Sequence, residues 1–67
     1  MNIIKREYYD NGQLRYERPY QNGQAHGIWK SWYKNGKPKR NKYYLYGEKV
    51  SYETYREYEL IVELSGI

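Results

Sequence analysis

Residues 8–14 read YYDNGQL, and residues 32–38 read WYKNGKP, 24 positions later. A third Asn-Gly pair, Asn22-Gly23, lies between these stretches, and Gly47 falls where a fourth pair is expected. An Asn-Gly pair between apolar-rich runs is the strongest local signal for a two-residue hairpin, because both turn residues need φ > 0. The series therefore predicts an antiparallel β-meander of hairpins, built from two copies of one unit.

Two-residue turns at these pairs would also fix the strand register. At the first turn Tyr9 would face Leu14, and Glu7 would face Tyr16. At the second turn the pairs would be Tyr20 with Ala25, Arg18 with Gly27 and Tyr16 with Trp29. At the third turn Trp29 would face Lys42. Since directly opposed residues share a face of the sheet, we expect one face to hold the structural core, formed by Tyr9, Leu14, Tyr16, Tyr20, Trp29, Tyr33 and Tyr44. The position of the C-terminal segment is left open by the sequence, although this more apolar face is the one we expect it to cover.

The C-terminal segment differs in composition from the rest of the chain. Residues 1–50 carry eleven basic and four acidic residues, whereas residues 51–67 carry one and four. Ser51 is a suitable N-cap, and Gly66 is a suitable stop signal for a helix. Side chains at helical spacing would form an apolar stripe, made of Tyr55, Tyr58 and Val62.

A strand is the alternative for this segment, because apolar residues also alternate along it, at Tyr58, Leu60, Val62 and Leu64. The abundance of good helix formers favours the helix. We predict a single domain over residues 1–67, mainly β, with an antiparallel meander over 3–50 and a C-terminal α-helix over 51–65.

The turn motifs resemble those of the MORN-repeat family, in particular its bacterial variant. The resemblance covers residues 8–47 and is carried by YYDNGQL, by YQNGQAHGIWK at 20–30 and by WYKNGK at 32–37. It implies a meander of hairpins and a binding or scaffolding role in place of enzymatic activity. Some bacterial members of the family resemble antitoxin or immunity proteins. The second copy departs from the family pattern at three positions, Pro38, Tyr46 and Ser51.

No catalytic or metal-binding constellation is visible in the sequence. The chain has no cysteine, and His26 is its only histidine, for which we expect a structural or solvent-facing role. We therefore expect no enzymatic activity and no cofactor or metal. The lack of cysteine and of an apolar leader segment predicts a cytoplasmic protein.

A basic, aromatic-rich region is the predicted interaction surface, with the candidate partner-binding residues Lys30, Trp32, Lys39, Arg40 and Tyr43. The chain has eleven tyrosines and a net charge of +4, and Tyr, Trp and Arg dominate interface hot spots. The main hypothesis is a small module that occupies a larger, acidic protein, as an antitoxin, an immunity protein or a phage-type inhibitor does.

Two further partners follow from the same composition. Basic residues interleaved with aromatic rings are also used to bind single-stranded nucleic acid, and this alternative stays open. A homodimer is predicted through the edge strand over residues 3–9 or through Leu60 and Leu64 of the helix. Membrane binding is not expected.

Overall fold

The computed structural model describes residues 1–65. One sheet of six antiparallel strands is followed by a helix: β1 (Asn2–Tyr8), β2 (Leu14–Gln21), β3 (Gln24–Ala25), β4 (Gly27–Trp32), β5 (Pro38–Leu45), β6 (Glu48–Val50) and α1 (Tyr52–Leu64). The strand order is β1-β2-β4-β5-β6, and the short β3 also pairs with β2. The predicted fold class, a β-meander with a C-terminal helix, is confirmed. Gly66, the predicted stop signal, lies outside the described residues.

The first and third turns are three-residue loops, so the prediction of two-residue turns there is wrong. In the first, the Gly12 N–H donates to the Tyr9 carbonyl at 3.0 Å, and the Tyr9 N–H donates to the Gln13 carbonyl at 2.8 Å. Only Gly12 has a positive φ, of 87°. Asn11 instead uses its side-chain oxygen to accept the Gln13 N–H at 3.0 Å, which stabilises a type I turn followed by a left-handed glycine. The same three hydrogen bonds recur 24 residues later, around Asn35 and Gly36.

A β-bulge after each three-residue loop restores the predicted register. Tyr8, not Tyr9, pairs with Leu14, so Leu14 is on the face opposite Tyr9. One extra residue in β2, Arg15, then brings Tyr16 opposite Glu7, as predicted. Lys39 is the corresponding extra residue in β5, and beyond it Trp29 pairs with Lys42 as predicted.

The second and fourth turns are two-residue turns. Asn22 and Gly23 have φ values of 51° and 80°, and Tyr20 pairs with Ala25 as predicted. Tyr46 and Gly47 adopt the same conformation, with φ values of 49° and 88°. A tyrosine in this left-handed region is unusual and must be held by contacts elsewhere in the fold.

A break between β3 and β4 moves the register by two residues. Tyr16 pairs with Ser31, so the predicted pairing of Tyr16 with Trp29 is wrong. Pro19 has no N–H to donate to the ladder of hydrogen bonds. Gly27, the first residue of β4, has a positive φ of 115° at this break. The Trp29 indole Nε1–H donates to the Pro19 carbonyl at 3.0 Å and closes the break. Because a shift of two residues is even, Trp29 stays on the predicted face.

Helix α1 covers the face that carries Tyr43, so the expectation that it covers the Trp29 face is wrong. The ring centroids of Tyr52 and Tyr55 each lie 5.4 Å from that of Tyr43. Strand β6 ends at Val50, which pairs with Tyr43, and the helix begins two residues later. The chain therefore leaves the sheet beside Tyr43, and the first helical turn passes over that residue.

Every side chain among residues 1–65 keeps some contact with solvent. The predicted core residues are half-buried, except that Tyr33 is 50% exposed. Leu60 and Leu64 are also exposed, at 47% and 86%. Within residues 1–65, no helix packs on the sheet face that carries Trp29, which is called the open face below.

Candidate binding groove

A shallow groove of about 260 Å³ crosses the open face. Its floor and walls include Tyr9, Tyr16, Arg18, Trp29, Arg40 and Lys42. The strand pairings place these side chains in rows: Lys42 lies directly across from Trp29, and Arg40 lies across from Ser31. The groove therefore runs over three neighbouring strands, β2, β4 and β5.

Trp29 is fixed at the centre of the groove by its aromatic neighbours. Its ring lies 5.3 Å from that of Tyr20 and 4.5 Å from that of Tyr44, measured between centroids. The hydrogen bond from its indole nitrogen to Pro19 fixes the orientation of the ring. Tilted aromatic pairs at these distances add about 0.5–1.5 kcal/mol each beyond the area they bury.

Cationic side chains cover the rings on this face. The Cζ atom of Arg18 lies 3.8 Å from the centroid of Tyr16 and 5.1 Å from that of Trp29. Two matching contacts occur at the bulges, where Arg15 lies 5.5 Å from Tyr9 and Lys39 lies 5.7 Å from Tyr33. Such contacts are favourable and restrict the long side chains. The two-copy sequence thus repeats a cation over a tyrosine at a spacing of 24 residues.

The charge of the groove is of one sign. Among residues 1–65 its lining includes no acidic residue and five basic side chains of the open face: Arg15, Arg18, Lys39, Arg40 and Lys42. Lys30 also borders the groove, but it alternates with Trp29 and Ser31 on β4 and belongs to the opposite face. Within residues 1–65 only Arg15 of this set has an acidic partner, Glu7, at 3.3 Å. The other two ion pairs in the described chain, Arg6–Glu17 at 2.9 Å and Lys34–Asp10 at 3.2 Å, lie outside the groove. Two of the three ion pairs in the described chain are therefore formed away from the groove, and Arg18, Lys39, Arg40 and Lys42 have no acidic partner among residues 1–65.

Four of the five candidate partner-binding residues border this groove: Lys30, Trp32, Lys39 and Arg40. Lys30 and Trp32 alternate with Trp29 and Ser31 along β4, so their side chains belong to the opposite face. The fifth, Tyr43, is on the other face, half-buried beneath α1. Sequence reasoning did not select Arg18 or Lys42. The predicted pairing of Lys42 with Trp29 carried enough information to select Lys42, whereas the place of Arg18 depends on the register shift at Gly27.

A second cluster, formed by His26, Tyr46 and Tyr58, joins α1 to the sheet. The Tyr46 N–H donates to His26 Nδ1 at 3.0 Å, and the two rings lie 4.7 Å apart. The hydroxyl groups of Tyr46 and Tyr58 are 3.0 Å apart, and this hydrogen bond is the main cause that raises the pKa of Tyr58. These contacts hold Tyr46 in its left-handed conformation, so His26 has a structural role here.

Nearby on the helix, burial raises the pKa of Tyr55 to about 12, assisted by the neighbouring Glu59 carboxylate. No group of three metal-ligating side chains occurs in the part of the chain that the structure describes. The only helix over the same range, α1, is too short and too polar to cross a membrane.

The fold and the groove define a two-copy β-meander repeat protein. The family described as MORN repeat variant matches residues 1–22 and 25–46, two segments related by the same offset of 24 residues. The chain belongs to this family, and it is a small repeat-containing binding module. No curated protein and no solved structure matches the chain.

Proposed function

We propose that this protein is a non-enzymatic module that binds a larger protein through the groove on its open face. The observation that carries the proposal is the charge of the groove, whose lining among residues 1–65 includes five basic side chains of the open face and no acidic residue. Electrostatic complementarity of this kind steers association and selects partners by charge. The partner surface is therefore acidic.

The mode of action that we propose is occupancy, as in antitoxins, immunity proteins and phage-type inhibitors. The sheet, whose strands lie between residues 2 and 50, has an aromatic floor and presents a nearly preformed surface, so little conformational entropy is lost on binding. The absence of cysteine from the chain fits a cytoplasmic partner. No cofactor takes part in this function.

A specific observation keeps single-stranded nucleic acid as the second candidate, because the groove combines cations with aromatic rings. Binding of that kind uses ring faces on which bases stack. Here Arg18, Arg15 and Lys39 already lie over the rings of Tyr16, Tyr9 and Tyr33. The arrangement therefore favours a protein partner over a stacked strand.

Affinity capture from a lysate of the native host tests the two candidates together. The protein-binding proposal expects one acidic protein in near-stoichiometric amount, retained by the wild type and lost by an Arg40→Glu/Lys42→Glu variant. Recovery of nucleic acid alone, with an affinity that falls steeply as salt rises, would support the second candidate and contradict the first.

We also propose that the protein self-associates, through the exposed β1 edge or through the exposed leucines of α1. Light scattering of the wild type should show a dimer that a Leu60→Ser/Leu64→Ser variant loses if the helix is used. A monomer at high concentration would contradict self-association without bearing on the groove.

A further inference from the structure

We infer that the groove binds an extended acidic segment of the partner, in which alternate residues carry carboxylates. This inference rests on the proposed function, because it names the part of an acidic partner that enters the groove. Arg40 and Lys42 receive the two carboxylates, and Arg18 contacts the same segment from the other side of Trp29.

The spacing of the two receiving cations carries the inference. Arg40 and Lys42 are two residues apart on β5 and pair with Ser31 and Trp29, so both belong to the open face. Alternate residues of a strand lie roughly 7 Å apart along its axis, which is also the distance between alternate side chains of an extended ligand. An acidic-x-acidic segment that runs along β5 therefore meets one cation with each carboxylate.

The electrostatics agree with this assignment. Neither Arg40 nor Lys42 has an acidic partner among residues 1–65. Arg40 is exposed, and Lys42, which pairs with Trp29 across the sheet, is half-buried. A carboxylate that reaches Lys42 is therefore partly shielded from water, which strengthens its interaction with the ammonium group.

Arg18 is the specificity-determining residue in this arrangement. Its guanidinium group lies over Tyr16 and near Trp29, so it is held in place before a ligand arrives. A planar guanidinium can donate two parallel hydrogen bonds to one carboxylate, whereas an ammonium group acts as a point charge. Preorganisation on the two rings reduces the entropy lost when that contact forms.

Fluorescence anisotropy with labelled peptides tests the inference. One peptide carries two glutamates at alternate positions in a β-branched background, and a second has the same composition with the glutamates adjacent, so that their carboxylates leave on opposite sides. We expect the alternating peptide to bind the wild type about tenfold more tightly than the adjacent one. An Arg40→Gln/Lys42→Gln variant should lose this difference, and Arg18→Lys should weaken the alternating peptide about fivefold. The charge-matched control Lys37→Gln/Arg56→Gln, at two exposed positions outside the groove, should stay within about twofold of the wild type.

Equal binding of the two peptides would overturn the inference, as would tighter binding of an oligothymidylate than of either peptide. If the peptides are not distinguished but the captured partner is still lost by Arg40→Glu/Lys42→Glu, the inference fails and the proposed function stands. If the two peptides bind equally and the captured partner binds the Arg40→Glu/Lys42→Glu variant as tightly as the wild type, both the inference and the proposed function fail.

Discussion

Replacing Gly27 with alanine should destabilise the sheet more than replacing the turn glycine Gly12 with alanine. Gly27 has a φ of 115°, and a Cβ atom added there would lie 3.0 Å from Pro19 Cγ. A residue held in such a conformation costs about 1–3 kcal/mol, and the crowding of a packed site costs a similar amount. We therefore expect Gly27→Ala to lower the free energy of unfolding by about 3 kcal/mol.

That loss is large for so small a protein. A chain of this length has a total stability of roughly 3–10 kcal/mol. Each kilocalorie lowers the melting temperature of a domain of this size by about 4–8 °C. The assay is urea unfolding monitored by tryptophan fluorescence, because the Trp29 indole is hydrogen-bonded to the Pro19 carbonyl next to the altered site.

Gly12→Ala is the matched control. Gly12 has a similar positive φ of 87°, but an added Cβ meets nothing within 4 Å. This variant should lose only the backbone term, about 1–2 kcal/mol. Adding Pro19→Ala to Gly27→Ala should recover part of the loss, because the crowding atom is removed. Equal losses for Gly27→Ala and Gly12→Ala, with no recovery in the double variant, would refute the role assigned to Pro19.

Three further predictions concern the attachment of α1. Tyr46→Asn should keep the last hairpin, because asparagine tolerates a positive φ. The loss of contacts with His26 and Tyr58 should weaken the packing of the helix on the sheet by about 1 kcal/mol. Faster amide hydrogen exchange confined to α1 would show this. Tyr55 has a pKa of about 12 in the folded protein and its ordinary pKa of about 10 in the unfolded chain. Its contribution to the free energy of unfolding should therefore be fully present below about pH 10 and be lost between about pH 10 and pH 12. Tyr55→Phe should make this alkaline decline shallower in urea titrations, and an unchanged slope would contradict that assignment. Ser51→Ala should cost about 1 kcal/mol, measured by thermal melts at 222 nm, because its hydroxyl accepts the Thr54 N–H at 3.2 Å.

The meander and the 24-residue spacing of its two copies could be predicted from the Asn-Gly series, because the freedom of glycine to adopt a positive φ is a local property. The type of each turn could not. Asn11 and Asn35 accept hydrogen bonds through their side chains, whereas Asn22 adopts a positive φ itself, although the dipeptide is the same. The bulges that follow the three-residue loops return the strands to the predicted pairing, so the assignment of most residues to faces survives a wrong turn type.

The groove was predicted less completely, because it depends on contacts between distant residues. The predicted register placed Arg18 opposite Gly27 and placed Tyr16, not Arg18, opposite Trp29. The two-residue shift at Pro19 brings Arg18 beside Trp29, and nothing local to Arg18 indicates this shift. The side of the sheet that α1 covers was also beyond local patterns, because it depends on where β6 ends relative to Tyr43.

The affinity of the captured partner for two charge-matched variants tests the central claim, that the open face binds an acidic protein. Arg40→Glu/Lys42→Glu reverses two charges in the groove, and Lys37→Glu/Arg56→Glu reverses two charges outside it. Both change the net charge equally, so calorimetric titration of each variant separates a local site from a general electrostatic effect. We expect the groove variant to lose affinity by about 100-fold or more, and the control to stay within about threefold. Equal losses in the two variants, or full affinity in the groove variant, would contradict the assignment of the groove as the binding site.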